Sequence, residues 1–322
     1  MSHCLTITNG DSATALMRAA GLDAELLPWR DLLHQGPVPQ NLSLEQLSAC
    51  RANYIAALGW GDASQIRQDF VERDRRLTSA PDYHRVELWF EHDLYDQLQL
   101  LQLLDFFHQQ PHPDLSLICT DQYLGQQSPD QLLQLRRYQQ PVTPAQLQLG
   151  AAAWSAFRNP DPQQWQALLD SDSSALPFLE GAVLRLLQEF PSRHNGLSRS
   201  AQQALQLAAD GIEPAAELFR QSQQLETRIF MGDASFWQLL EQLLSAGALQ
   251  TLSGEALLNP ISSPPKQAGM QRLRITDVGK QLLQGERAWW QLYPIDHWIG
   301  GVHLQQPKLW CWDQSQRSLA RV

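Results

Sequence analysis

"RVELWFEHDLYDQLQLLQLLDFF", residues 85–107, changes its periodicity in the middle. Val86, Leu88, Trp89 and Phe90 form a short apolar run of strand type, whereas Leu94 to Phe107 carries apolar residues at helical spacing. Only Glu91, His92 and Asp93 lie between them. A strand joined to a helix by a three-residue polar turn is the opening of a βαβ unit, and the same alternation extends outward on both sides. Upstream, "CLTITNG" is a strand, "SATALMRAA" a helix closed by Gly21, and "AELLPW" a second strand. Residues 43–76 are helical with a break at 59–61, and downstream "DLSLICT" is a fourth strand. The expected fold class is α/β, with a small, mainly parallel sheet domain at the start of the chain.

The rest of the chain has a different rhythm. Residues 143–175, with several Pro and Gln and two tryptophans, read as a helical connector, which sets expected boundaries at 1–142, 143–175 and 176–322. "LPFLEGAVLRLLQEF" is an amphipathic helix, "GLSRSAQQALQLAADG" a helix with Ser198 at its N-cap and Gly211 beyond its end, and "DASFWQLLEQLLSAGAL" a helix stopped at Gly247. "LQTL" and "RLRIT" then flank a polar loop before the helix "DVGKQLLQG". Helices followed by two β runs give a mostly helical, winged-helix-like domain, and the Trp-rich "WIGGVHLQQPKLWCWD" reads as a C-terminal β-hairpin.

Charge narrows the function classes. The net charge of -10 resides in residues 1–175, with 11 Lys+Arg against 21 Asp+Glu, while residues 176–322 balance at 13 against 13. An acidic first half argues against a phosphate-tracking surface there. In the second half neither candidate recognition helix is basic; Arg272, Arg274 and Lys280 are the only local cationic cluster, so nucleic-acid contact through residues 176–290 is disfavoured. No apolar run is long enough for a membrane span, and "MSHCLTITNG" lacks a basic segment followed by an apolar core, so a cytoplasmic location and no membrane partner are expected. Cys4, Cys50, Cys119 and Cys311 form no CxxC and suggest no metal knuckle or redox motif.

In an open parallel sheet, ligands bind beyond the carboxyl ends of the strands. This rule gathers three loops into one candidate site: Asn9, Gly10, Asp11 and Ser12 after the first strand; Arg30, Asp31 and then His34, Gly36 and Pro37 after the second; and Glu91, His92, Asp93, Asp96 and Gln97 after the third. The fourth strand adds Asp121. Asp93 and Asp96 also suit a helix N-terminus as cap and first-turn acid, a role that does not require Glu91 or His92. Asn9–Ser12 reads either as a turn with a positive-φ glycine and a cap, or as a helix N-terminus open to an anion. The triplet Gly10-Asp11-Ser12 resembles the nucleophile turn of GDS-type esterases, whose late Asp-x-x-His base is absent; here Asp296 and His297 are adjacent. Trp289, Trp290, Trp298, Trp310 and Trp312 read as packing residues.

Seven blocks in order, "LTITNGDSA", "LLPWRDLLHQGPVP", "LWFEHDLYDQLQLLQLLD", "NGLSRSAQQAL", the Gly232-Asp233 pair, "RITDVGKQLLQG" and "WIGGVHL...LWCWD", resemble bacterial proteins of the domain-of-unknown-function 1835 family. The family pattern carries Arg-Trp before "GGVHL", where this chain has His297-Trp298. The resemblance implies the two-part architecture and leaves the chemistry to the residues.

The sequence therefore leads to an expected enzyme, a metal-dependent hydrolase or transferase, acting on a phosphorylated or nucleotide-like small molecule. Asp11, Asp31, Glu91 and Asp93 are the expected ligands of Mg or Mn, and His92, Asp93 and Glu91 the expected catalytic residues, with His92 as general acid/base. Asn9, Gly10, Asp11, Ser12, Arg30 and Gln97 are the expected substrate contacts. The alternative is a non-catalytic ligand-sensing or partner-binding protein that uses its winged-helix-like domain.

Overall fold

A computed structural model describes residues 4–322; Met1, Ser2 and His3, the start of the stretch read against a leader, lie outside the described residues. The chain forms two compact units, Met1–Val183 with Trp298–His303, and Leu184–His297 with Leu304–Val322.

The first unit runs β1 (Cys4–Thr8), α1 (Asp11–Ala19), β2 (Glu25–Pro28), β3 (Gly36–Pro37), α2 (Leu44–Ala57), α3 (Ala63–Thr78), β4 (Arg85–Glu91), α4 (Leu94–Gln109), β5 (Leu115–Thr120), α5 (Pro129–Gln134), β6 (Gln140–Pro141), α6 (Pro144–Phe157) and α7 (Gln163–Gln166). Its main sheet has the order β2-β1-β4-β5-β6, parallel throughout except for the short antiparallel edge strand β6. The expected α/β class is present. The four strands read from the sequence are β1, β2, β4 and β5.

Strand order decides where a ligand can sit. From β1 the chain passes through α1 to β2 on one side; α2 and α3 then carry it back past β1 to β4, and α4 leads onward to β5. The direction of winding therefore reverses between β1 and β4, and their carboxyl ends open the crevice in which α/β sheets bind ligands. The register, Thr8 opposite Trp89, places Asn9 next to the end of β4. Ala13 and Met17 of α1 and Leu132 of α5 pack with Leu26, Trp89 and Ile118 of the sheet on one face, while Leu88 and Phe90, pointing the other way, are fully buried.

Residues 143–175 do not form a connector. Helix α6 packs along α4, with Gly150 so close to Leu104 that an added Cβ would lie 2.5 Å from the leucine Cβ, and the first unit extends to Val183. The apolar composition of α6, with Ala153, Trp154 and Phe157 buried, explains why it joins a core. Residues 298–303 also return to this unit: Ile299 pairs with Gly36, and Gly301 donates its N–H to Phe157 O at 3.0 Å.

Helix α8 (Leu179–Leu187) leads into the second unit, which holds α9 (Arg199–Ala209), α10 (Ala215–Gln224), α11 (Asp233–Ser245), β7 (Leu249–Thr251), α12 (Pro265–Met270), β8 (Leu273–Ile275) and α13 (Asp277–Leu283). Ser198 caps α9 by accepting from Ala201 N, and Gly211 closes it with a φ of +92°. β7 and β8 pair antiparallel, as the two β runs suggest. The sequence pattern does not announce α10, whose narrow buried stripe is Ala215, Leu218 and Ser222. The tail holds β9 (Asp296–Gly300), β10 (Val302–Gln305), β11 (Trp310–Asp313) and β12 (Ser318–Arg321). The expected C-terminal hairpin is the antiparallel pair β11 and β12, and β10 lies beside β9 ahead of it.

Candidate functional site

The turn from β4 to α4 is built by its own polar residues. Asp93 is the N-cap of α4, and its Oδ1 accepts from Tyr95 N at 2.9 Å and Asp96 N at 3.2 Å. Asp96 reaches back, its Oδ1 accepting from Glu91 N at 2.7 Å. Glu91, the last residue of β4, accepts through Oε1 from Leu124 N at 2.7 Å. The neighbouring strand supplies the link: Asn9 Nδ2 donates to both Glu91 Oε1 and Asp96 Oδ2 at 2.9 Å. Ligand oxygens of Glu91, Asp93 and Asp96 lie within 4.8 Å of one another, and all three residues are buried.

Electrostatics decide what this cluster can hold. Two carboxylates at that separation repel by about 3–4 kcal/mol at an effective dielectric of ~20, and no cation is among the leading influences on the three groups. Burial, then the charge of Glu91, pushes the Asp93 carboxyl up to about 8. Burial and the charges of Asp93 and Glu91 hold Asp96 well above the ordinary carboxylate range, and burial raises Glu91. The cluster must therefore retain protons or take up a cation. Thr8 Oγ1, buried at the end of β1, makes no hydrogen bond. An all-oxygen donor set of three buried carboxyl groups fits a hard divalent cation.

Two of the expected ligands lie elsewhere. Asp11 is exposed in the first turn of α1 and holds Arg30 in a bidentate pair, with Nη2 to Oδ1 at 2.7 Å, so neither the expected ligand nor the expected anion clamp faces the cluster as a free group. At Arg30 the backbone takes a φ of +25°, and there the side chains part: Arg30 lies on the surface and Asp31 in the interior. Asp31, with no exposure, meets Arg51 at 2.9 Å and faces Arg73 at 3.9 Å. Arg51 also donates to Gln35 O and Leu32 O at 2.9 Å, so this ion pair fastens the loop after β2. Removing one partner of such a buried pair costs about 3–5 kcal/mol.

The other expected contacts divide between site and scaffold. His92 is packed with its ring 5.2 Å from that of Tyr123 and 5.8 Å from that of Phe178. Gln97 donates to Glu91 O at 2.7 Å and to Cys119 Sγ at 3.4 Å, which commits its amide to the turn. Gly10 is itself the N-cap of α1, in extended backbone with φ 178°, and gives α1 no side-chain cap; the positive-φ turn does not occur. Ser12 is exposed beside Gly125, and Asp121 is exposed after β5, outside the cluster. The second loop does arrive, through the His34 ring 6.2 Å from that of Tyr95 and through Gln99 Nε2, which donates to Asp31 O at 2.8 Å.

The sequence reading omits Asp96 from the ligands, although its i, i+3 spacing from Asp93 carries the signal. The Leu124 N–H has no sequence signal, because a distant backbone segment brings it.

Fold and cluster together define a doubly flanked, mainly parallel α/β unit with a buried carboxyl triad at its topological switch point. No family model matches the chain, and no curated protein matches it in sequence. Among the described residues no helix is long and apolar enough to cross a membrane.

Proposed function

We propose that the first unit is a divalent-cation-dependent enzyme, a cytoplasmic hydrolase or transferase acting on a phosphorylated or nucleotide-like small molecule. The observation that carries this reading is the meeting of three carboxyl groups within 4.8 Å at the β1/β4 switch point. Glu91, Asp93 and Asp96 would hold Mg or Mn, with Asp96 taking the place of Asp11 and Asp31 in the ligand set. Such an ion supplies a Lewis acid for a phosphoryl oxygen. Asn9 fixes Glu91 and Asp96 relative to each other, and the first turn of α1, which Gly10 leaves without a side-chain cap, offers backbone N–H groups to the anionic end of the substrate. His92 is the proton-carrying group, held by Tyr123 and Phe178 next to the acids. The resemblance to the domain-of-unknown-function 1835 family belongs to the same proposal and rests on the seven ordered blocks.

The test is thermal unfolding of wild type and Asp93→Asn with MgCl2 or MnCl2. Asn keeps the helix cap and removes the charge. A cation at roughly 100 times its dissociation constant adds about 2.7 kcal/mol, an upward shift of several degrees that Asp93→Asn should abolish. Absence of any wild-type shift with either metal overturns the cation site.

One observation favours a second reading, a ligand sensor whose winged-helix-like second unit meets a protein. Arg272 and Arg274 both pair with Glu213, and Lys280 pairs with Asp277 at 3.0 Å, so the three cations of the cluster already meet two carboxylates.

A further inference from the structure

Several acids in the second unit are matched with bases. Glu226 meets Arg185 at 2.8 Å, Glu217 meets Arg220 at 2.5 Å, and Glu213 meets Arg274 at 2.8 Å. Glu241 and Glu255, like Asp210, Asp233 and Glu286, have no such match among the described residues, and these two share one groove. They edge one open groove of about 460 Å³ beside α11 and the residues from β7 onward, with Leu244, Ala256 and Leu257 on its walls together with Ser245 and Thr251. Neither carboxylate forms an ion pair with a described residue, and the Glu241 carboxyl is raised by burial alone, with no charged neighbour acting on it. On the same connection Leu252, Leu258 and Ile261 are 37%, 36% and 45% exposed. Partly apolar walls with two carboxylates outside any ion pair suit an occupant that has both apolar and cationic groups.

We propose that this groove docks a basic, apolar-flanked segment of a partner protein, with an Arg or Lys between Leu-like side chains. The aliphatic stem of the basic residue would cover Leu244 and Leu257 while its head meets Glu241 and Glu255. Complementary charge would steer the encounter and set the register. The acids repel a phosphate backbone, so the same groove disfavours nucleic acid. This site is independent of the cation site in the first unit.

The test is fluorescence anisotropy of the full chain with a labelled peptide alternating Leu and Arg. Saturable binding is expected, and the double change Glu241→Gln with Glu255→Gln should weaken it by about tenfold or more. The charge-matched pair Glu45→Gln with Glu286→Gln, both exposed and outside the groove, should leave it unchanged. A peptide with Ser in place of Leu should also lose binding. Equal weakening by the control pair would show attraction to the acidic chain in general, and undiminished binding of the Ser peptide would remove the apolar walls from the account; either overturns the proposal. Sedimentation showing a dimer that Leu257→Ser dissociates would assign the groove to a second copy of this chain and overturn it equally.

Discussion

Asp93 and Asp96 carry carboxyl groups that favour the protonated form in the fold. The sign of the consequence follows from linkage: with a folded pKa near 8 against an ordinary value of 3.8, Asp93 binds more proton in the folded than in the unfolded chain between those limits. Stability from this group is fully present below pH 4 and is lost as pH rises through about 8, at up to about 1.4 kcal/mol per pH unit for each proton retained. Asp96 extends the same trend. Without divalent cation the unfolding midpoint should therefore fall between pH 5 and pH 8 along this part of the profile, and Asp93→Asn should flatten the fall. Calorimetric scans across that range check it; a wild-type profile no steeper than that of Asp93→Asn would show that Asp93 titrates as an ordinary surface acid. At this scale the sequence was partly legible. Glu91 stood out because a helix cap does not require it, but Asp11 and Asp31 look alike in the sequence, and only their surroundings separate a surface pair from a buried one.

Elements are held by close backbone approaches as well as by apolar faces. An added Cβ on Gly301 would lie 1.8 Å from Arg158 O, at the end of α6, whereas one on Gly10 would meet nothing within 4 Å. Gly301→Ala should therefore destabilise the chain by about 1–3 kcal/mol, since the turn or the helix end must move. Gly10→Ala should be nearly neutral, because its extended backbone suits any residue. Denaturant midpoints of the two variants test the pair, and a neutral Gly301→Ala would show that the turn does not need this approach. The main strand and helix periods of residues 4–120 were readable because each element buries an apolar face of its own period. Helix α6 was readable as a helix but not as part of the core, since its place against α4 depends on Gly150 meeting Leu104, a contact between residues 46 positions apart.

Across the whole molecule, charge sets the partners. The first 175 residues carry the entire net charge of -10, and Arg272 and Arg274 of the second unit share the carboxylate of Glu213, which leaves a single net positive charge there. Duplex DNA should therefore show no saturable binding even at roughly 50 mM salt, where phosphate contacts are strongest. Gel retardation or anisotropy checks this; steeply salt-dependent binding that Arg274→Ala weakens would restore the nucleic-acid reading. The sequence by itself determined the α/β alternation, the helical second half and the loop carrying Glu91, His92 and Asp93, because periodicity and turn residues are local properties. The tertiary structure decided the strand order, and with it which loops meet. Asn9 lies beside Glu91 and Asp96 because β1 is the hydrogen-bonded neighbour of β4, whereas Asp31 is claimed by Arg51 from α2. Neither choice is local: each depends on where the intervening helices return the chain, and on a buried charge being tolerated only where a partner reaches it.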